Sequence, residues 1–419
     1  LLCACVIGVL ANHFMRILFV VPYVPNLIRV RPYNLIRSLS ARGHQVAVLT
    51  VCADEQDWKD VKQLEQHCYR VQAVPLPRWR SWANCLSAVP GATPLQAVYC
   101  WQPELARQIA AAGHEADVVH IEHLRGARYG LYLKSGAANG ARRVPIVWDS
   151  VDCISVLFRQ ASGRSKRLVS RWITRFELGR TERYEGWLVD QFDRVLVTSP
   201  ADKDALGSLR SVGKLERPIS VIANGVDMAY FEPDYEVNRE PATLVISGKM
   251  SYHANVSMSL YMAKVIMPHI WAKRPDAKLC IVGKDPTPDV LALAEHPAIT
   301  VTGTVDNIRP YLQKATVAVT PITYGAGIQN KVLEAMACAT PVVSTPQAVS
   351  ALDITPGRDA LVAQEPEGFA AAVLRLLDNP QHQQQIGLAG RRYVETHHQW
   401  SNVAAQLEGV YNEVISSKN

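Results

Sequence analysis

The sequence predicts an α/β protein made of two doubly wound parallel-sheet domains. Three observations support this. Apolar runs of four to seven residues recur along the 419-residue chain. They are continuous and mostly β-branched rather than alternating, as expected of strands buried on both faces of a parallel sheet. Longer helix-like segments separate them, which implies βαβ units. This length suits two or three domains. Two blocks of five or six runs fit two sheets better than one large one.

The first fourteen residues, LLCACVIGVLANHF, contain eleven mostly apolar positions, too few to span a bilayer. They have no basic flank and no clear A-x-A site, so they do not read as a secretion signal. Met15 is expected to open the fold, with 1–14 a leader outside it; a short membrane-touching leader is the alternative. The first block of strands is ILFVV (17–21), QVAVLTV (45–51), DVVHI (117–121), PIVW (145–148) and RVLVT (194–198). The second is SVIAN (220–224), TLVIS (243–247), KLCIV (278–282), ITVTG (299–303), VAVT (317–320) and PVVS (341–344). Helices are expected over 31–43 and 257–274, and the connecting region 209–241 carries Gly213, Pro218, Gly225, Pro233 and Pro241.

Residues 165–192 read as another kind of helix. Leu168, Trp172 and Phe176 step by four, and eight Lys/Arg against two Glu lie between Arg159 and Arg183. Such a helix either lies on an anionic membrane surface or docks on its own domain with a solvated basic face. In the tail, Trp400, Val403, Leu407 and Val410 form a helical stripe that reads as core.

Composition narrows the function. Hydrophobic residues make up 48% and charged residues 20%, an ordinary globular balance. The net charge of +6 fits anionic partners without indicating nucleic acid. Nine scattered Cys, without a CxxC pair or zinc spacing, read as reduced cytosolic thiols. No carboxylate cluster suggests a bound metal. There is no GxSxG elbow or Walker A loop, and PYVPN stands where a dinucleotide fingerprint would follow the first strand.

The stretch 320–345, TPITYGAGIQNKVLEAMACATPVVST, is the leading candidate for chemistry. A strand, a turn with Gly325 and Gly327, and a helix N-terminus make an anion site. Lys331 adds a positive charge. Glu334, on the same helical face, can accept two hydroxyl hydrogen bonds, as from a ribose diol. Ser247, Gly248 and Lys249 follow the strand TLVIS, where Gly permits close backbone approach and Lys249 can neutralise a diphosphate. Asp149 and Asp152 follow PIVW at a sheet edge where such folds bind ligands; a helix N-cap is the alternative for Asp152. His120 and His123 follow DVVH, and Arg29 and Arg31 follow the first strand. All four read as either ligand-side or structural residues.

Ordered pieces then carry a resemblance: MRILFVVPYVP, LSARGHQVAVLT, ADVVHIEH, RVLVTSPADKDAL, ISVIANGVDMAYFEP, LVISGKM, AKLCIVG, VTGTV and KVLEAMACATPVVST. In this order they resemble glycosyltransferase family 4, with its GT-B fold, and the branch associated with bacterial exopolysaccharide and cell-surface sugar assembly. The resemblance spans Met15 to about Ile415. It implies two Rossmann-like domains facing across a cleft: 15–212 binding acceptor, 213–395 binding donor, and 396–419 returning as a helix to the first domain. It implies sugar transfer of the hexosyltransferase type from a nucleotide sugar to a glycan or lipid-linked acceptor, with retention and without metal or cofactor.

Residue by residue, Glu334 matches the family's ribose-binding glutamate and Lys249 its basic residue after the first strand of the second domain. Asn255 stands where relatives often carry Lys. The first glutamate of the usual pair falls on Ala326 or Tyr324, neither acidic. Asp149 takes the place of a frequent His. The resemblance thus implies Asp149, Lys249 and Lys331 as catalytic groups. It implies Ser247, Gly248, Lys249, Gly325, Gly327, Ile328, Gln329, Lys331 and Glu334 at the donor, and Arg29, Arg31, His120, His123 and Asp152 on the acceptor side. A nucleotide-sugar epimerase and a silent nucleotide-sugar binder remain as alternatives. The expected setting is cytoplasmic, with contact to the inner face of a membrane through 159–192 as one of the two readings of that segment.

Overall fold

The computed structural model describes residues 14–136, 143–162, 168–210, 218–324 and 328–418, with side chains described outside 160–175. The chain divides into two compact units. One comprises residues 1–149, 191–194 and 408–419; the other comprises 150–190 and 195–407.

Two β-sheets organise these residues. The first contains β1 (Arg16–Val21), β2 (Gln45–Cys52), β3 (Arg70–Pro75), β4 (Val118–Glu122), β5 (Ile146–Val151), β6 (Arg194–Val197) and β7 (Ile219–Val221), in the order 3-2-1-4-5-6-7. The second contains β8 (Thr243–Ser247), β9 (Lys278–Val282), β10 (Ile299–Val301), β11 (Val317–Thr320), β12 (Val342–Ser344) and β13 (Leu361–Val362), in the order 10-9-8-11-12-13. Every pairing in the second sheet is parallel. The β3-β2-β1-β4-β5 run of the first is parallel as well.

The central strands are those with unbroken apolar sequence. In β1 every residue after Arg16 is buried, and Ile17 pairs with Val46 on one side and Val118 on the other. Burial of each such side chain contributes about 1.5–3 kcal/mol. In β8 all five residues are buried. Leu244 and Ile246 join the core with Leu279, Val317 and Phe369, while Val245 joins Val282, Ala318 and Met336 on the opposite face. Both sheets reverse strand order beside their first strand, at β1/β4 and β8/β11. Ligand crevices of doubly wound sheets open at such points, beyond the strand C-termini.

Three sequence expectations change. The run SVIAN does not open the second sheet: Ile219–Val221 pairs with β6 as the last strand of the first, so that sheet extends past the expected seam at 212/213. Two strands went unpredicted, β3 and β13. Both are edges, where covering is incomplete and the unbroken apolar signature is lost; in β3 (RVQAVP) only Val74 is fully buried. The helix expected over 257–274 begins at His253 and runs to Trp271, with a π turn over Met262–Ile266. Pro268 follows that turn. A proline donates no hydrogen bond and crowds the carbonyl four residues back, which the wider turn relieves.

Within 159–192 the helices are Ile154–Ser162 and Leu168–Val189. The side chains of Leu168 and Trp172 lie outside those described. Phe176 is exposed rather than packed, with the Arg180 guanidinium 4.8 Å from its ring centroid, and Arg180 is buried beside Glu177 at 3.0 Å. In the tail helix Trp400–Ser416 the stripe Trp400, Val403, Leu407 and Val410 is buried as expected. Among the described residues no helix is long and apolar enough to cross a membrane, and Cys52, Cys68, Cys85, Cys100, Cys153, Cys280 and Cys338 are free thiols.

Candidate functional site

In the first unit a buried polar cluster occupies the C-terminal ends of β1, β4 and β5. Alternation along β4 puts His120 and Glu122 on one face. Register places His120 against Phe19 and Glu122 directly across from Asp149. The His120 ring stacks on Phe19 at 4.4 Å. Asp149 Oδ2 accepts from Arg31 Nε at 2.9 Å and lies 2.8 Å from Arg31 Nη2. His120 Nε2 is 3.6 Å from the same oxygen, and His120 Nδ1 is 2.8 Å from Tyr411 Oη. Tyr23 Oη donates to Glu122 Oε1 at 2.8 Å.

Two carboxylates thus face one another, with Arg31 bonded to Asp149. Burial first, and then the neighbouring Asp149 charge, push Glu122 up to about 8, so it holds a proton at neutral pH. Burial lowers His120 to about 4, leaving it neutral. Among the described residues Glu122 Oε2 and His120 Nε2 have no hydrogen-bond partner. Two strained residues flank the cluster: His123 at φ 63° and the β-branched Val151 at φ 69°. His123 opens the helix His123–Gly136, and its carbonyl accepts from Trp148 Nε1 at 3.3 Å. Arg29 sits 4.8 Å over the Tyr23 ring and donates to the Val24 carbonyl.

The structure therefore unites Arg31, His120 and Asp149, with Arg29 and His123 at the margin. Asp152 lies apart, accepting from Thr198 Oγ1 at 3.2 Å. The first amides of the helix Ile154–Ser162 are taken instead by Glu185, which accepts from Ile154 N at 2.8 Å and Ser155 N at 3.0 Å. Asp202 accepts from Cys153 N. Glu122 is the residue that sequence reading passed over. The rule that singled out Asp149, a carboxylate ending a parallel strand, applies to it equally. Tyr411 carried no local signal, because it reaches His120 only through the fold.

The second candidate locus lies beyond β8 within the other unit. β8 ends at Ser247, and Gly248 and Gly283 take φ of 144° and 150°. These angles favour glycine. A Cβ on Gly283 would lie 1.6 Å from the Gly248 oxygen, so the two turns touch backbone to backbone. A Cβ on Gly248 would lie 3.4 Å from Lys331 Cε, so the Lys331 stem runs beside this turn. Asn255 Nδ2 donates to the Lys249 carbonyl at 2.9 Å. The Lys249 ammonium is more than half exposed, 3.8 Å from an equally exposed Asp285, a pairing that leaves it available to a ligand.

Lys331 and Glu334 rise from the helix Asn330–Ala337, whose N-cap is Gln329. Lys331 Nζ donates to Gln329 Oε1 at 3.1 Å. Desolvation lowers Lys331 to about 8 and raises Glu334 to about 7, each partly offset by the other's charge. Ile328 packs its side chain on the core under this helix. Gly325 and Gly327 lie outside the described residues. Tyr324 Oη donates to the His253 carbonyl at 3.1 Å, and the two rings stack 5° from parallel. Sequence reading had not marked His253. The chemistry on offer here is glycine backbone, two cations and one carboxylate at a strand-to-helix edge, a set suited to a phosphorylated diol. Among the described residues no His, Cys, Asp or Glu group could hold a metal ion.

Comparison with known proteins adds family and fold. A glycosyl transferase 4-like domain model matches residues 28–225, and a glycosyl transferases group 1 model matches 241–379. The chain is 24% identical to a glycogen synthase of Mycobacterium tuberculosis over 403 residues, covering 90% of this chain and 89% of the relative. It is 27% identical to an alpha-maltose-1-phosphate synthase of Mycolicibacterium smegmatis over 271 residues, 57% of this chain and 68% of that one. Among solved structures, sucrose-phosphate synthase from Thermosynechococcus elongatus superposes with a TM-score of 0.69 at 19% identity, covering 96% of this chain and all of that one. Anabaena HepE, solved in complex with UDP and glucose, gives 0.67 at 14% identity over 95% of this chain and all of its own.

Proposed function

We propose, on the premise that this chain is a glycosyltransferase of GT-B type across both its α/β halves, that it moves a hexose from a nucleoside-diphosphate donor to a hydroxyl of a glycan or lipid-linked acceptor. The observation supporting this most is the convergence beyond β8 of the Gly248–Gly283 backbone contact with the Lys331 stem and Glu334. Glu334 would accept the ribose hydroxyls. Lys249, Lys331 and amides near Ile328 and Gln329 would bind the diphosphate. HepE, a relative in fold, was solved with UDP-glucose, which supports a nucleotide sugar as donor.

In the reaction the acceptor oxygen bonds to the anomeric carbon and the bond from that carbon to the diphosphate breaks. The electron pair leaves on the diphosphate, and the hydroxyl proton passes to the leaving oxygen on the same face, giving retention. Lys249 and Lys331 stabilise the charge that develops, so the scheme draws on protein cations rather than a metal, and it takes no cofactor. Asp149, paired with Arg31, would act by holding the start of the helix Val30–Ala41 against the end of β5 for the acceptor. The basic segment 159–192 contributes less to a membrane setting than its composition implies, because Arg159 pairs with Glu182 and Arg180 with Glu177.

A second reading, a binder that performs no transfer, is favoured by one observation: Tyr324 stands near where relatives carry an acid and is engaged with His253. Release of nucleoside diphosphate from a panel of nucleotide sugars separates the readings. Transfer predicts slow release in water, faster release with a saccharide acceptor, and a loss of about 10²–10³ in rate for Lys331→Ala. Binding without release supports the silent binder, and a new nucleotide sugar without release supports an epimerase.

A further inference from the structure

The helix Arg78–Ala88 carries its large apolar residues on the outside. Its inner face holds Ser81 and Ala88, both buried, and Asn84, whose Nδ2 donates to the Trp101 carbonyl at 2.8 Å. Its outer face holds Trp79, Trp82 and Leu86, which are 64%, 70% and 69% exposed, and Val89 follows at 48%. At 3.6 residues per turn, positions 79, 82 and 86 fall within a stripe about 60° wide. Scattered exposed apolar residues are ordinary; three large ones in register on a helix with a small, polar inner face mark a contact surface.

The charges around the stripe indicate what it meets. Arg78 is exposed, and the Arg80 guanidinium lies 5.2 Å from the Trp79 ring centroid. No Asp or Glu occurs anywhere from Leu76 to Gln102. We infer that this face docks on an anionic lipid bilayer, with the helix lying in the interface plane. Tryptophan rings settle at headgroup depth, leucine reaches the acyl boundary, and arginines reach outward to lipid phosphates. The helix is far too short to span a membrane. A second copy of the chain is the poorer occupant. A two-fold contact through this stripe would set Arg78 and Arg80 near their own equivalents with no carboxylate on the helix to answer them. The inference is independent of the sugar-transfer reading.

Vesicle co-sedimentation of the full chain tests it, using phosphatidylcholine alone and phosphatidylcholine mixed with phosphatidylglycerol. The chain should pellet with the anionic vesicles, less with neutral ones, and less at high salt. Trp79→Ser with Trp82→Ser should cut the bound fraction about tenfold. Arg78→Glu with Arg80→Glu should abolish the preference for anionic lipid. Arg78, Trp79 and Trp82 are exposed and Arg80 is half-buried beside the Trp79 ring, so circular dichroism and Tm should stay close to wild-type values. The inference is overturned if the wild-type chain stays in the supernatant, or if the double tryptophan variant pellets as the wild type does. It is also overturned if sedimentation velocity shows a dimer that this variant converts to monomer.

Discussion

Glu122 and Asp149 sit opposite one another on β4 and β5, and Arg31 donates to Asp149. Glu122 is raised to about 8 in the folded chain, against an ordinary carboxylate value when unfolded. Between those values the folded state binds the extra proton, so stability is full at low pH and falls as pH rises toward 8. His120, lowered to about 4 by burial, acts in the opposite sense. Its stabilisation is present above its unfolded value and is lost as pH falls toward 4. The two oppose each other in mildly acidic solution, and above about pH 6.5 His120 is neutral in both states and adds no further pH dependence. Denaturant melts from pH 6.5 to 8 should therefore show declining stability, at up to ~1.4 kcal/mol per pH unit for Glu122, and Glu122→Gln should flatten that decline. Glycine gives a sharper residue-level test. Gly283→Ala drives a methyl into the Gly248 carbonyl and should destabilise by about 3 kcal/mol or more. Gly303→Ala, at φ 69° with open space around it, should cost only about 1 kcal/mol. Single residues were partly legible beforehand. Asp149 stood out in WDSVD after an obvious strand, whereas Glu122 sat between two histidines that drew the attention. Arg31, read as either an acceptor-side cation or a loop residue, proved to be Asp149's partner, a pairing across 118 positions that no local pattern encodes.

Helix ends and edge strands show where sequence patterns stop. The central strands β8, β9 and β11 were read to the residue, because two covered faces keep their middle residues apolar in sequence. β3, β7 and β13 are edges; of these, β3 and β13 were missed and β7 was placed in the wrong sheet. The cap of the helix Ile154–Ser162 was also misjudged. The nearby Asp152 was the natural candidate, yet the fold brings Glu185 from the neighbouring helix to its amides. Glu185→Ala should leave those buried amides unpaired and cost about 2–3 kcal/mol by chemical denaturation, whereas Asp152→Ala should leave the helix end intact. The tail helix makes a similar long-range contact. Tyr411→Phe removes the hydroxyl from His120 Nδ1 and should cost about 1–2 kcal/mol.

Across the whole molecule, two sheets each present their functional candidates where strand order reverses, and each unit offers a different chemistry. The first gathers neutralised, buried polar groups suited to fixing geometry. The second offers open glycine backbone, cations and a carboxylate suited to a nucleotide. Ligand binding there should depend on pH in a definite way. Glu334 accepts hydroxyl bonds best once ionised, above about 7, and Lys331 attracts a diphosphate only while charged, below about 8. Nucleoside-diphosphate affinity should therefore be greatest near pH 7–8 and weaken on both sides. The overall architecture was legible because alternation of buried strands and helices is a whole-chain pattern. The sugar, base and acceptor were not, since they depend on pocket details of single hydroxyl groups. The measurement that bears most directly on the nucleotide-sugar account is calorimetric titration of nucleoside diphosphates into the wild-type, Lys331→Ala and Glu334→Ala chains. At least one nucleotide should bind the wild type, and each substitution should weaken it about tenfold or more, a loss of ~1.4 kcal/mol or greater. Unchanged affinity in both variants, or no nucleotide bound by the wild type, would contradict it.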